Sequence, residues 1–154
     1  MENLSLKDRK FASLYWLYVA DSVSMPVHWY YNLENLKKDY GTITGYTKPH
    51  DQMENAYVYL NDTESQDIIG NVILHEKKDF WGKDKKSHYH RGLQAGENTL
   101  EANLVRMFTR LLSKENEFSA DSLRNEYVNF MTTPGSHNDT YAGSCHRTFF
   151  GNYA

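Results

Sequence analysis

Helical periodicity marks five stretches of this chain, two before and three after a long segment that keeps no period. In the first, Leu4, Phe11, Leu14, Tyr15, Tyr18 and Val19 share one stripe, with Ser5 or Asp8 as cap candidates. Pro26 disfavours helical geometry at Met25, which places the helix end near Ser24. Asn32 can cap a short second helix over residues 33–39, and the Tyr40-Gly41 step ends it.

Residues 41–95 are irregular. Residues 42–46 read as extended, 55–60 have some strand character, 61–66 are polar and turn-like, and 77–86 are strongly charged. The segment is too long for an ordinary connection, so it reads as a functional excursion on one face of a helical domain, or as a partly mobile stretch. Beyond it, Leu100, Leu104, Met107, Phe108, Leu111 and Leu112 step at i+3 and i+4, an amphipathic helix of about four turns. Ser119 is placed to cap the next helix, whose stripe is Leu123, Tyr127, Phe130 and Met131 and which ends at Thr133-Pro134-Gly135. A last helical stretch is expected over residues 140–152. The fold class is therefore all-α with one long insertion at about residues 41–95. No internal repeat or low-complexity tract interrupts it.

Composition narrows the partners. The chain has 154 residues, the size of a single domain. Mean hydropathy is low at −0.74, but 14% of residues are aromatic, enough apolar bulk for a core. A formal net charge of −3 leaves no electrostatic footprint for nucleic acid or an acidic membrane surface. No apolar run is long enough to span a bilayer, and the N-terminus lacks the apolar core of a secretory signal. Asn-X-Ser/Thr triplets at Asn3, Asn61 and Asn138 are then chance matches. The single cysteine, Cys145, favours a reducing compartment, so a cytoplasmic location is expected.

Three clusters could carry chemistry. In residues 20–31, Asp21 at a helix end and His28 beyond Pro26 could share a cleft wall. The alternative is a solvent-facing carboxylate and a packed loop histidine. In the second, His88 and His90 point to one side only if the backbone is extended. Glu97, Asn98 and Thr99 then offer consecutive oxygens of the kind that suit magnesium. The alternative is a helix start in which Glu97 meets the dipole and Asn98 or Thr99 caps. The third runs from Thr132 to Thr140 and on to Cys145-His146. Adjacent residues on a helix point about 100° apart, so Cys145 and His146 make a poor nucleophile–base pair, and Cys145 reads as a small core residue.

In this order, the clusters resemble the ADP-ribosylglycohydrolase family. Ala20-Asp21-Ser22-Val23-Ser24-Met25-Pro26-Val27-His28 resembles that family's Gly-Asp-Ala-Leu-Gly-Ala-Pro-Val-Glu opening, and Gly96-Glu97-Asn98-Thr99 its Thr-Asp-Asp-Thr metal motif. The strings at residues 88–99 and 133–140 are similar to the branch that includes the J-type lens crystallins. The resemblance covers Phe11 to Ala154 and implies the N-terminal part of an orthogonally packed all-α domain about twice this length. It implies magnesium-dependent hydrolysis of an ADP-ribosyl or related glycosidic bond. Glu97, Asn98 and Thr99 would take the metal motif, Asp21 would line the cleft, and His28 falls where active members carry a catalytic glutamate. The motif here has one negative charge and one hydroxyl fewer, which weakens cation binding. The family's second metal motif and Gly-rich loop belong to a C-terminal half without counterpart here, so this chain alone is expected to be inactive. A non-catalytic ADP-ribose-binding or crystallin-like structural role is the alternative.

Overall fold

The computed structural model describes residues 4–54, 68–82, 86–115 and 117–153. Within them the chain is helical, with only isolated bridges (Gln52 with Ser87, Ile69 with Ile73) and no strand. The helices are α1 (Leu6–Ser24), α2 (Leu33–Tyr40), α3 (Leu100–Lys114), α4 (Ala120–Thr132) and α5 (Ser144–Tyr153), with 3-10 turns at Met25–Val27 and Lys78–Phe80. None of these helices is long and apolar enough to cross a membrane. The expected strand character at 55–60 and the turn at 61–66 lie outside the described residues.

The helix ends follow local chemistry. Ser5 and Asp8 form a reciprocal capping box at α1, and Asn32 accepts from the backbone N–H of Glu34 and Asn35 at α2. Gly41, at φ 62°, closes α2 in the left-handed region that glycine adopts without strain. Ser119 caps α4 through the Ser122 N–H.

Packing departs from the sequence expectation in five places. α3 buries Leu100, Leu104 and Met107 and packs on α4, as its stripe predicts, but Leu112 is left exposed. The α1 stripe does not face the core: Phe11 is 71% exposed and Tyr15 53%, and Ser22 is the helix's buried residue. α1 meets α3 and the turn after its own end, while residues 4–11 stay exposed. The irregular segment supplies the missing core: Ile68, Ile69, Ile73, Leu74, Trp81 and Tyr89 join Leu100, Leu104, Met131 and Phe150 in one cluster. It is therefore no mere excursion on one face of the domain. The last helix begins at Ser144 rather than near Thr140, because Asp139 and Thr140 are fully buried and bonded elsewhere. Cys145 lies on the exposed side of α5, which corrects its reading as a core residue.

Candidate acid–base site

The start of α3 organises the site. An α-helix leaves its first N–H groups without internal partners, and here two distant carboxylates take them. Asp21, near the end of α1, accepts from the Thr99 N–H (2.8 Å) and the Thr99 hydroxyl (2.7 Å). Asp139 accepts from the Leu100 N–H (2.8 Å). Both negative charges sit where the helix dipole favours them. Asn98 completes the connection: its amide N–H group donates to Asp21 and Ser22, and its oxygen accepts from Arg106 one helix face along. Asp21 is thus a half-buried trans-cap, not a free solvent-facing carboxylate.

Asp139 also anchors a chain of imidazoles. Its carboxylate lies 2.9 Å from His90 Nδ1, and His90 Nε2 lies 2.8 Å from His28 Nδ1. Both Asp139 and His90 are buried, and His28 is half-buried. Close approach of two loops makes this possible. A Cβ on Gly92 would collide with the Asn138 carbonyl oxygen, so only glycine lets the 88–93 loop seat against residues 138–140. The Thr140 hydroxyl donates to the Tyr89 carbonyl (2.6 Å) and ties the same loops together.

The hydrogen bonds assign the tautomers. His88 donates through Nε2 to the Pro26 carbonyl and accepts the His90 N–H at Nδ1, so it is neutral and structural. Burial pushes it down to about 4. Burial also opposes charge on His90, but the Asp139 carboxylate more than offsets this through its charge and hydrogen bond, helped by Glu101 and Asp21, and holds His90 above its ordinary value. His28 is lowered, by burial first and then by His90. Two states follow. With His90 neutral, its Nδ1–H goes to Asp139 and its Nε2 accepts from His28 Nδ1–H, leaving His28 Nε2 a lone pair. With His90 protonated, its Nε2–H donates to His28 and the proton of neutral His28 moves to Nε2. Protonation of His90 therefore decides whether His28 offers a base or a donor. His28 Nε2 has no hydrogen-bond partner among the described residues.

The adjacent Trp29 is held at φ 67°, a costly conformation for a bulky residue. Its ring packs on Tyr89 (4.4 Å between centroids) and Tyr141 (5.3 Å), while 44% of the residue remains exposed beside His28.

The magnesium set is arranged for other work. Glu97 accepts from the Gln94 N–H and the Asn138 amide, both at 2.7 Å. The Asn98 oxygen faces the Arg106 guanidinium, and the Thr99 hydroxyl donates to Asp21. An oxygen already holding a cationic guanidinium is a poor ligand for a second cation. Among the described residues, no three His, Cys, Asp or Glu side chains gather as a metal site. As arranged, these residues do not fit a hard divalent cation.

The structure thus brings Asp21, His28, Asn98 and Thr99 to the start of α3, with Glu97 at its rim. The members without a role in the sequence reading are Asp139, just before the helix expected over residues 140–152, and His90, weighed there only with His88 as a pair on one side of an extended backbone. A signal existed: the sequence His-Tyr-His followed by Gly92 allows the close loop approach. No family model, curated protein or solved structure matches the chain.

Proposed function

We propose that this chain is an ADP-ribosylglycohydrolase-like domain, with the N-terminal part of that family's helical fold, in which His28 is the general base for water attack on an ADP-ribosyl or related glycosidic bond. The Asp139–His90–His28 chain carries the reading: a buried carboxylate orients one imidazole, which orients a second whose outer nitrogen is unpartnered. In the base state a water gives its proton to His28 Nε2 while its oxygen bonds the anomeric carbon. The glycosidic electron pair leaves with the acceptor atom, which takes a proton from solvent. His90, backed by Asp139, stabilises the positive charge that develops on His28. Trp29 offers an apolar face against the sugar ring. No step passes through a metal, consistent with the donor set at Glu97, Asn98 and Thr99.

Release of ADP-ribose from an ADP-ribosylated peptide by the full chain tests this. Turnover should survive a chelator, and His28→Ala should lower it by about 10²–10⁴-fold. Absence of release both with and without magnesium would sink the enzymatic reading. A non-catalytic ADP-ribose-binding protein is the second reading, favoured because Asp21, Glu97, Asn98 and Thr99 are bonded among themselves and their neighbours. Calorimetric binding of ADP-ribose without turnover would establish it.

A further inference from the structure

Helix α1 is anchored to the body of the fold by its last two turns. Asp21 and Ser22 hold Thr99 and Asn98, and the Arg106 guanidinium lies over the Tyr18 ring, 5.0 Å from its centroid. Toward the N-terminus the same face continues as Tyr15, Leu14 and Phe11, all exposed. An apolar stripe on a surface helix ordinarily faces a core, so this one is shaped for something that covers it. The opposite side offers no equivalent surface: Leu6, Trp16 and Leu17 are exposed there, but Arg9, Ser13 and Ala20 break them up.

Two parallel rows at four-residue spacing make up the exposed face: Lys7, Phe11 and Tyr15, and beside them Lys10, Leu14 and Tyr18. Read toward the C-terminus, each row runs cation, apolar side chain, tyrosine. Phe11 and Tyr15 stack, with ring centroids 6.2 Å apart and 20° between planes, so the first row forms one flat aromatic ridge. Within α1 itself the lysines are poorly placed. They stand three residues apart near the positive end of the helix dipole, and Asp8 between them is committed to the Ser5 cap. The last turn of the helix carries no cation. The face is therefore polarised, with cations at one end and tyrosines at the other.

We propose that α1 pairs with the α1 of a second copy of this chain, antiparallel about a two-fold axis at Phe11. The order of the rows selects that occupant. Reversed on itself, each row sets its cation against a tyrosine of the other copy, Lys7 toward Tyr15 and Lys10 toward Tyr18, with the apolar side chains between them. Parallel pairing would instead gather all four lysines at one end. Rows at this spacing interdigitate in the commonest class of helix pair, crossing at about −50°. The two rows expose roughly 600 Å² per copy, so the pair buries about 1,200 Å², the lower end for specific association. That size suits a weak dimer in the micromolar range, with α1 bare in dilute solution. Asp21 lies about 15 Å along the helix from Phe11, outside the paired rows, so the inference does not depend on the acid–base reading.

Sedimentation equilibrium of the full chain, from low micromolar to several hundred micromolar, tests the pairing. The average mass should rise from 18.0 kDa toward twice that value and stop there. Phe11→Lys, which sets two cations against each other at the axis, should keep the chain monomeric throughout. Lys7→Glu should weaken association by about tenfold, since two cation–π contacts are lost at once. Trp16→Ala, on the far side of the helix, should leave it unchanged. All three positions are exposed, so circular dichroism should report the parent helicity in each variant. A chain that stays monomeric at the highest concentration overturns the inference. So does association that persists in Phe11→Lys, falls equally in Trp16→Ala, or grows beyond a dimer. With Cys145 replaced by serine, an oxidised mixture of Lys7→Cys and Tyr15→Cys chains should give the mixed disulfide; Lys7→Cys linked to itself would overturn the antiparallel order. His28→Ala should leave association intact, so failure of the acid–base reading and failure of the pairing are told apart.

Discussion

The two histidines two residues apart, His88 and His90, are driven in opposite directions by what each nitrogen meets. His88 faces a carbonyl and a backbone N–H and stays neutral; His90 faces a carboxylate and welcomes charge. Because His88 titrates near 6.5 unfolded and at about 4 folded, the unfolded chain binds its proton first as pH falls. Stability from this group is complete above about 6.5 and is lost as pH falls toward 4, a difference of about 3 kcal/mol. Urea unfolding across this window should show the loss, and His88→Gln, which keeps a donor for Pro26, should reduce the slope. An unchanged slope would assign the loss to His28, His137 or His146, which are also lowered. His90 has the opposite sign: its stabilisation is present below 6.5 and is lost as pH rises through its raised folded value. The base form of His28 appears over that same rise. Asp139→Asn removes the charge that raises His90, so the acid limb of the pH–rate profile, along which the base form appears, should move to lower pH. A limb that stays in place would detach His90 from the reaction. At this scale the sequence supplied the residue types, yet His28 and His90 are 62 positions apart, and nothing local states that their rings meet.

Among the elements, α3 shows how a helix start becomes a site. Its amphipathic period was legible, and so was a polar cluster at its beginning. The identity of the capping groups was not, since Asp21 and Asp139 come from positions 78 and 39 residues away along the chain. Asp21→Ala should cost about 1–2 kcal/mol, as loss of a cap does. A larger penalty is expected at the loop crossing: Gly92→Ala places a methyl against the Asn138 carbonyl oxygen and 3.0 Å from the Thr140 side chain. Because the obstacle is backbone, relief requires the loops to part, at about 1–3 kcal/mol and a fall in Tm of several degrees. Thermal unfolding of Gly92→Ala close to the parent value would show that the loops are not in contact. The α1 stripe failed for a related reason. Periodicity tells which residues share a face, but not whether another element covers that face.

Across the whole molecule the apolar burial is redistributed from α1 to the irregular segment. Ile69 and Ile73 are fully buried, whereas Phe11 projects to solvent. Ile69→Ala should therefore cost about 2–5 kcal/mol, and Phe11→Ala should stay within about 0.5 kcal/mol, both by chemical denaturation. A reversal of that order would mean that α1 is covered in solution. The helices and most of their ends are legible in the chain alone, because caps, proline, Gly41 and the 3.6-residue period act over a few neighbouring residues. The sequence also shows which residue types stand near the start of α3. Long-range packing alone settles that the aperiodic segment is core, that Asp139 holds His90, and that Arg106 occupies the Asn98 oxygen. Those outcomes depend on which distant groups compete for the same donors and the same buried space, and short-range patterns carry no record of that competition.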